Sequence, residues 1–330
     1  MENEDALIRV RHIKKYFPLN SSAFRKANIR YLHAVDDVSF DIKDGEIFGI
    51  VGESGSGKST IGRCILRLLE LDGGEIWFRN NNIGAIGRGE LQDIRRNMQM
   101  IFQDPLASFN PKHRLDNALR EIGRVYGMSQ TEISEEIDRI LSYINLPKEF
   151  LKRMPNQLSG GQLQRLAIAR LLILHPKFIV ADEPVSALDV SVRAQVLNLL
   201  LDLREEKAMT ILFISHDLNV VEHVCDRVAV VYLGMIVEMA SKEELFHNHR
   251  HPYTQALMSA KPKEHPLENK KRVLLEGDIP HAIDIGSGCR FASRCRYCSG
   301  ICRAETPKLL EIMPGHLVAC HFPENLLNTY

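Results

Sequence analysis

The chain has 330 residues, with 42 Lys plus Arg against 42 Asp plus Glu, long enough to bury a sizeable core in about two domains, one large and one small. Balanced charge excludes a global field for wrapping on nucleic acid or lying on an anionic membrane, so any polyanion must be held by a local site. No run of about 18 apolar residues occurs, and the start, MENEDALIRV, is acidic where a signal peptide is basic, which points to a chain that stays in the cytosol.

Alternating apolar residues near Ile8 and from Val35 to Ile42 read as strands, and Glu46 to Val51 as a short buried strand that runs into glycines. Ile61, Ile65, Leu68 and Leu69 then recur at helical spacing, which completes a strand, loop and helix unit of the doubly wound kind. Between about Leu115 and Phe150 the pattern turns helical, with a capping-box match of Ser129 and Glu132 ahead of Ile133, Ile137 and Ile140. An apolar-striped helix from Gln162 to Leu174 leads through Pro176 to a buried strand, Phe178 to Ala181, that ends at Asp182. Leu197, Leu200 and Leu201 mark a further helix, Thr210 to Ser215 a strand, and Arg227 to Val237 an edge hairpin that closes the α/β part near Met239. Beyond it come a short helical stretch with Pro252 and Pro262, a charged linker around Glu264 to Arg272, and an end rich in cysteine. Five of the seven cysteines fall between Cys289 and Cys320; in a reducing compartment that argues against a disulfide framework and leaves metal binding open.

Two clusters carry chemistry. Gly52, Glu53, Ser54, Gly55, Ser56, Gly57, Lys58 and Ser59, followed by Thr60, fit G-x-x-x-x-G-K-[ST] between a strand and a helix. Small residues there let consecutive amides curl round a β-phosphate at the positive helix end, Lys58 neutralises β- and γ-oxygens, and the Ser59 hydroxyl suits Mg²⁺. Asp182 and Glu183 end a buried strand at the carboxyl edge of the sheet; Asp182 suits an outer Mg²⁺ ligand and Glu183 suits polarising an attacking water. An acidic strand end followed by a Pro184 turn is the plainer alternative for that pair.

With Leu158-Ser159-Gly160-Gly161-Gln162 standing ahead of the Asp182-Glu183 strand, the sequence resembles the ABC ATPases. The fold implied is an α/β P-loop NTPase with an antiparallel β subdomain and an inserted helical subdomain at about 104–158. The nucleotide-binding domain would occupy 1–240, and a Cys-rich extension 241–330. Read physically, Ser159 and the amides of Gly160 and Gly161 open a helix and form a second anion cradle. The resemblance implies that this signature, with Gln162, faces the phosphate loop of a second ATPase subunit, burying two ATP molecules head to tail. It also implies that Gln103 senses Mg²⁺ and water, that Ser186-Ala187-Leu188-Asp189 is the D-loop with Asp189 at the nucleotide, that His216 is the switch histidine, and that Tyr16 stacks on adenine. Phe17 could exchange roles with Tyr16, since one of the two must face a core in an alternating strand.

The likeness narrows to the ATPases of oligopeptide, dipeptide and nickel importers, closest to their F-type member. It is carried by Gln103-Asp104-Pro105 through Ser108-Phe109-Asn110-Pro111, the insert from Pro18 to Arg30, His251-Pro252-Tyr253-Thr254, and the terminal cysteines. Implied partners are a similar but distinct ATPase, two transmembrane permease subunits and an extracytoplasmic solute-binding protein, with the chain peripheral on the cytoplasmic membrane face. The rival reading is an ABC ATPase of DNA repair or translation, which would carry paired ATPase units, coiled coils or basic arms; a metal-binding regulatory protein would explain the tail alone.

In the tail, Cys289, Cys295, Cys302 and Cys320 are separated by five, six and seventeen residues, resembling the peptide-importer ATPases, which implies a 4Fe-4S cluster. Cys298 makes Cys295-Arg296-Tyr297-Cys298 a C-x-x-C pair, so zinc on Cys295, Cys298, Cys302 and either Cys320 or His321 is the alternative. Since the motor residues are remote in sequence, the cluster is expected to staple the tail and leave ATP binding untouched.

Overall fold

The computed structural model describes residues 6–19, 30–261, 273, 275, 280, 282–283 and 285–323. Most of the Pro18 to Arg30 insert, Pro262, and the linker 264–272 lie outside the described residues. Two compact units form: residues 1–42, 48–84 and 215–330 make one, and residues 43–47 and 85–214 the other.

The first unit contains a four-stranded sheet in which Ala6–Pro18 lies between Tyr31–Lys43 and Gly73–Phe78, with Asn81–Asn82 at the far edge. Ala6–Pro18 pairs antiparallel with Gly73–Phe78, Ile8 opposite Phe78; Ile8 and Val10 are fully buried at two-residue spacing, and Ile13, three residues on, is fully buried as well. His12 adopts φ +50 and the register shifts between Arg11 and Lys14, so a bulge interrupts the alternation before Tyr16. Tyr16 and Phe17 are consequently both half-buried; neither takes the core position that strict alternation demands.

The same unit holds the run of strands Leu310–Met313, His316–Val318, Met235–Ser241, Arg227–Tyr232 and Ile47–Val51, in that order. Arg227–Tyr232 pairs in parallel with Ile47–Val51, Gly49 opposite Val228, and Met235–Ser241 pairs with the tail strand through Glu238 and Val318. The hairpin is therefore interior, not an edge as the sequence implies, and the sheet does not close near Met239. Every residue from Val228 to Tyr232 and from Ile236 to Ala240 is buried, the burial expected of strands covered on both faces.

The helix after the phosphate loop runs Lys58–Ile65 and stops short of Leu68 and Leu69. Arg67 turns left-handed at φ +48, its amide reaches the Cys64 carbonyl and the Leu68 amide reaches the Arg63 carbonyl, a Schellman-like closure that leaves Leu68 exposed.

In the second unit, Met98–Ile101, Phe178–Asp182 and Thr210–Ile214 form a parallel ladder, with Met98 opposite Phe178 and Asp182 opposite Ile214. Helices Leu115–Val125 and Gln130–Tyr143 follow the first of these strands. Ser129 caps the second helix reciprocally: its Oγ accepts from the Glu132 amide at 3.2 Å and its amide donates to Glu132 at 2.7 Å. Helices Gly160–Leu172 and Val190–Lys207 bracket the Asp182 strand in sequence. No helix among the described residues is long and apolar enough to cross a membrane.

Candidate functional site

Strand Ile47–Val51 delivers the chain to a loop that only glycine can shape at two points. A Cβ on Gly52, φ +153, would lie 2.2 Å from the Val231 carbonyl oxygen, and one on Gly57, φ +104, would lie 2.1 Å from that of Ala34. Both are closer than any real contact, so strand packing on either side dictates the Gly at each end of the motif. Lys58 is buried, and its ammonium donates to the Gly52 carbonyl at 2.9 Å and the Glu53 carbonyl at 2.8 Å, which curls the loop round one positive charge. Ser56 Oγ is buried without a hydrogen-bond partner, a costly arrangement that an anionic oxygen at the loop would relieve. Ser54 and Gly55 are exposed, while Ser59 and Thr60 lie half-buried in the first helical turn. The loop thus offers cation, hydroxyls and helix N-terminus to one anion.

Glu53 is held from three directions. Its amide donates to the Tyr253 hydroxyl at 2.9 Å, its carbonyl accepts Lys58, and its carboxylate takes a bidentate pair from Arg294 at 2.9 and 3.2 Å. Tyr16 donates its hydroxyl to Asp36 at 2.5 Å and packs its ring against His33, with centroids 4.2 Å apart. Asp36 also receives the Arg290 guanidinium, which contacts the Leu233 carbonyl as well. Burial alone would raise the Asp36 carboxyl, but the Tyr16 hydroxyl, Arg290 and His33 outweigh it and hold the group below the usual carboxylate range. Phe17 instead sits under the Lys15 ammonium, 5.6 Å from the ring centre. His216, also in this unit, is exposed just after strand Thr210–Ile214.

The second unit carries the other candidates. Asp182 is buried at its strand end, and Glu183 follows with φ +47, its amide donating to the Ile214 carbonyl at 2.9 Å. A left-handed non-glycine backbone costs about 1–2 kcal/mol, and such strain gathers at functional positions. The Gln103 side-chain amide donates to the Glu183 carboxylate at 3.0 Å. Ser159 caps helix Gly160–Leu172 in a box with Gln162, at 3.4 and 3.1 Å, so Ser159 and the first amides at Gly160 and Gly161 open that helix. Gly161 has a steric reason as well: a Cβ there would lie 1.9 Å from Val192 Cγ1. Asp189 is exposed at the N-cap of Val190–Lys207 and makes no cap bond.

In the tail, Cys289, Cys295, Cys302 and Cys320 all line one cavity, beside His251 and Phe291, whereas Cys298 lines a neighbouring one with Cys289, Cys295 and Cys302. None of the seven cysteines is in a disulfide. Burial pushes Cys289 and Cys320 up to about 11 and raises Cys295, with the neighbouring thiols adding to it. Among the described residues no three His, Cys, Asp or Glu side chains form a group that could hold a metal ion. A 4Fe-4S cluster takes one thiolate on each of four irons, so its ligands need to surround a cavity and not a point.

Residues 35–186 match the family described as ABC transporter, and residues 237–302 match that described as oligopeptide/dipeptide transporter, C-terminal region. The chain is 44% identical over 323 residues to the oligopeptide transport ATP-binding protein AppF of Bacillus subtilis, covering 97% of this chain and 98% of AppF. The chain belongs to the ABC transporter family. It is accordingly an ATPase of the ABC type. A putative peptide import ATP-binding protein of Brucella ovis is 46% identical over 318 residues, covering 96% of this chain and 98% of its own. Among solved structures, the dimeric ABC cassette MJ0796 bound to ADP and Pi superposes with TM-score 0.63 at 30% identity, over 71% of this chain and 98% of that one.

Sequence reasoning did not anticipate Glu53's ties to Tyr253 and Arg294, or the Arg290 contact with Asp36. The one local signal was the placing of arginines directly beside three of the tail cysteines, among them Cys289-Arg290 and Arg294-Cys295. Remote in sequence, the tail thus touches residues of the phosphate loop and of the Tyr16 neighbourhood directly.

Proposed function

We propose that this chain is the ATP-hydrolysing subunit of an ABC importer for peptides, acting at the cytoplasmic membrane face with a second ATPase subunit, two permease subunits and an extracytoplasmic binding protein. The observation that carries this reading is identity of 44–46% to peptide-transport ATP-binding proteins along nearly the whole chain, tail included. In functional terms 1–240 is the nucleotide-binding domain, with its helical insert at about 104–158, and 241–330 the extension.

The phosphate loop, Gly52 to Thr60, binds the triphosphate, with Lys58 on the β- and γ-oxygens and Tyr16 against adenine. Ser59, Asp182 and Gln103 supply hard oxygens suited to Mg²⁺. Glu183 orients and polarises the attacking water, with His216 at the γ-phosphate; phosphoryl transfer needs little else than alignment and neutralised charge. The partner subunit's ATP is gripped by Ser159, Gly160, Gly161 and Gln162, with Asp189 beside it. Charge-assisted hydrogen bonds are worth about 1.5–3 kcal/mol each, so two or three per site reach the roughly 5.5 kcal/mol that moves an equilibrium from 1:99 to 99:1. Hydrolysis removes the group they grip, and the subunits part.

In the tail, Cys289, Cys295, Cys302 and Cys320 hold a 4Fe-4S cluster, supported by the cavity they share and by their spacing. Bound there, a cluster would cross-link four points of a segment with little apolar core of its own.

The test is reconstitution into proteoliposomes with a permease pair, a partner ATPase and a binding protein. ATP-dependent uptake of labelled oligopeptide, lost with Lys58→Ala, is expected. ATP hydrolysis without uptake or stimulation by any peptide of a diverse library would contradict the importer reading.

A further inference from the structure

Two arginines of the Cys-rich segment reach into the elements that frame the nucleotide. Arg294 pairs with both carboxylate oxygens of Glu53, the second residue of the phosphate loop, across 241 positions of sequence. Arg290 reaches Asp36 across 254 positions, and Asp36 holds the Tyr16 hydroxyl. Both guanidinium side chains are nearly out of solvent, at 7% and 6% exposed, and their carboxylates are 23% and 19% exposed. Surface ion pairs contribute little, but a buried, forked Arg–carboxylate pair fixes geometry and leaves an uncompensated charge when one partner is removed.

The charge at stake lies in the phosphate loop. Glu53 puts a carboxylate into a motif whose purpose is to receive a triphosphate, and unpaired it would oppose that ligand. Arg294 cancels it, while Tyr253, from helix Pro252–Ala260, fixes the same residue's amide. At the base side, Arg290 and Tyr16 share the Asp36 carboxylate, so the guanidinium sets where that carboxylate, and with it the Tyr16 ring, can sit. Arg290 directly follows Cys289 and Arg294 directly precedes Cys295. Whatever the thiols bind therefore sets both arms at once.

We infer that the Cys-rich segment is a two-armed clamp on the nucleotide site, with Arg294 and Arg290 as positioning residues for the phosphates and the base. The second arm rests on the reading of Tyr16 as the adenine contact. This makes the tail a regulator of ATP affinity, beyond a staple for its own fold.

The test is isothermal titration of the intact, anaerobically purified chain with MgATP and with Mg-tripolyphosphate, which has phosphates but no base. Arg294→Ala is expected to weaken both ligands about tenfold, the order of one charge-assisted hydrogen bond. Arg294→Lys should recover most of that loss. So should Glu53→Gln placed in the Arg294→Ala background, because it removes the stranded charge; a merely structural role would give no such rescue. Arg290→Ala should weaken MgATP several-fold and leave tripolyphosphate unchanged. Wild-type affinity in Arg294→Ala, or failure of Glu53→Gln to rescue it, overturns the first arm; equal loss for both ligands, or no loss, in Arg290→Ala overturns the second. Should Arg294→Ala fail to fold, Arg294→Gln, which also leaves the Glu53 charge unpaired, compared with Arg294→Gln plus Glu53→Gln decides by the same rescue. Wild-type protein that binds no MgATP would refute the nucleotide site itself, and Tyr16→Ala with unchanged MgATP affinity would refute the adenine reading alone.

Discussion

The Gln103 side-chain amide donates to the Glu183 carboxylate at 3.0 Å, joining residues 80 positions apart at the ends of the adjacent parallel strands Met98–Ile101 and Phe178–Asp182. Glu183 is thereby held at its strand end although its backbone is left-handed. Gln103→Ala should lower the hydrolysis rate of the assembled transporter about tenfold and change KM little, since it frees the carboxylate proposed to orient the water without touching the phosphate loop. Steady-state kinetics showing a raised KM with unchanged kcat would place Gln103 in ground-state binding.

The phosphate-loop glycines differ in what a side chain would meet. Gly57→Ala sets a Cβ 2.1 Å from the Ala34 carbonyl oxygen, whereas Gly55→Ala, φ +76, meets nothing within 4 Å. Backbone strain alone costs about 1–2 kcal/mol, so Gly55→Ala should lose that much and Gly57→Ala roughly 3 kcal/mol or more. Equal losses by urea denaturation would show that the Ala34 contact relaxes freely.

Gly161→Ala tests why the signature carries its second glycine. Its Cβ would collide with Val192 Cγ1 at 1.9 Å, an overpacking expected to cost about 1–3 kcal/mol. Val192→Ala in the same chain should return part of it, because it removes the colliding methyl. Absence of coupling in that double-mutant cycle would leave only a ligand-based reason for the glycine.

Anaerobic purification should give a brown protein with iron and acid-labile sulfide, bleached by Cys302→Ser but not by Cys298→Ser, whose thiol lines the other cavity. Cys302→Ser should also weaken MgATP binding several-fold, since the loop that presents Arg290 and Arg294 loses its anchor. A colourless protein with one zinc and no sulfide would contradict the cluster, and unchanged MgATP affinity in a bleached variant would uncouple the two sites.

Local features were legible in the sequence. The phosphate loop was readable because a strand, two sterically required glycines and a helix start are consecutive, and the capping box at Ser129 because it closes within four residues. The fold class came with the family resemblance that the phosphate loop and the signature carry. What escaped is non-local or a matter of backbone detail. Arg227–Tyr232 reads like any β-rich edge until its pairing with Ile47–Val51, far upstream, buries it. The helix after Lys58 ends early because Arg67 turns left-handed, and the bulge at His12 spoils the alternation that would place Tyr16 or Phe17 in the core. The arginine contacts to Glu53 and Asp36 cross more than 240 residues and leave no periodic trace.

Glu183→Gln tests the central claim most directly, that this chain turns over ATP with Glu183 orienting the water. The substitution keeps side-chain size and an oxygen that can still accept from Gln103, while removing the charge. In single-turnover assays of the assembled transporter, MgATP affinity should stay near wild type, the closed ATP-bound complex should accumulate, and hydrolysis should fall by about a hundredfold or more. Hydrolysis near the wild-type rate at saturating MgATP would contradict the account.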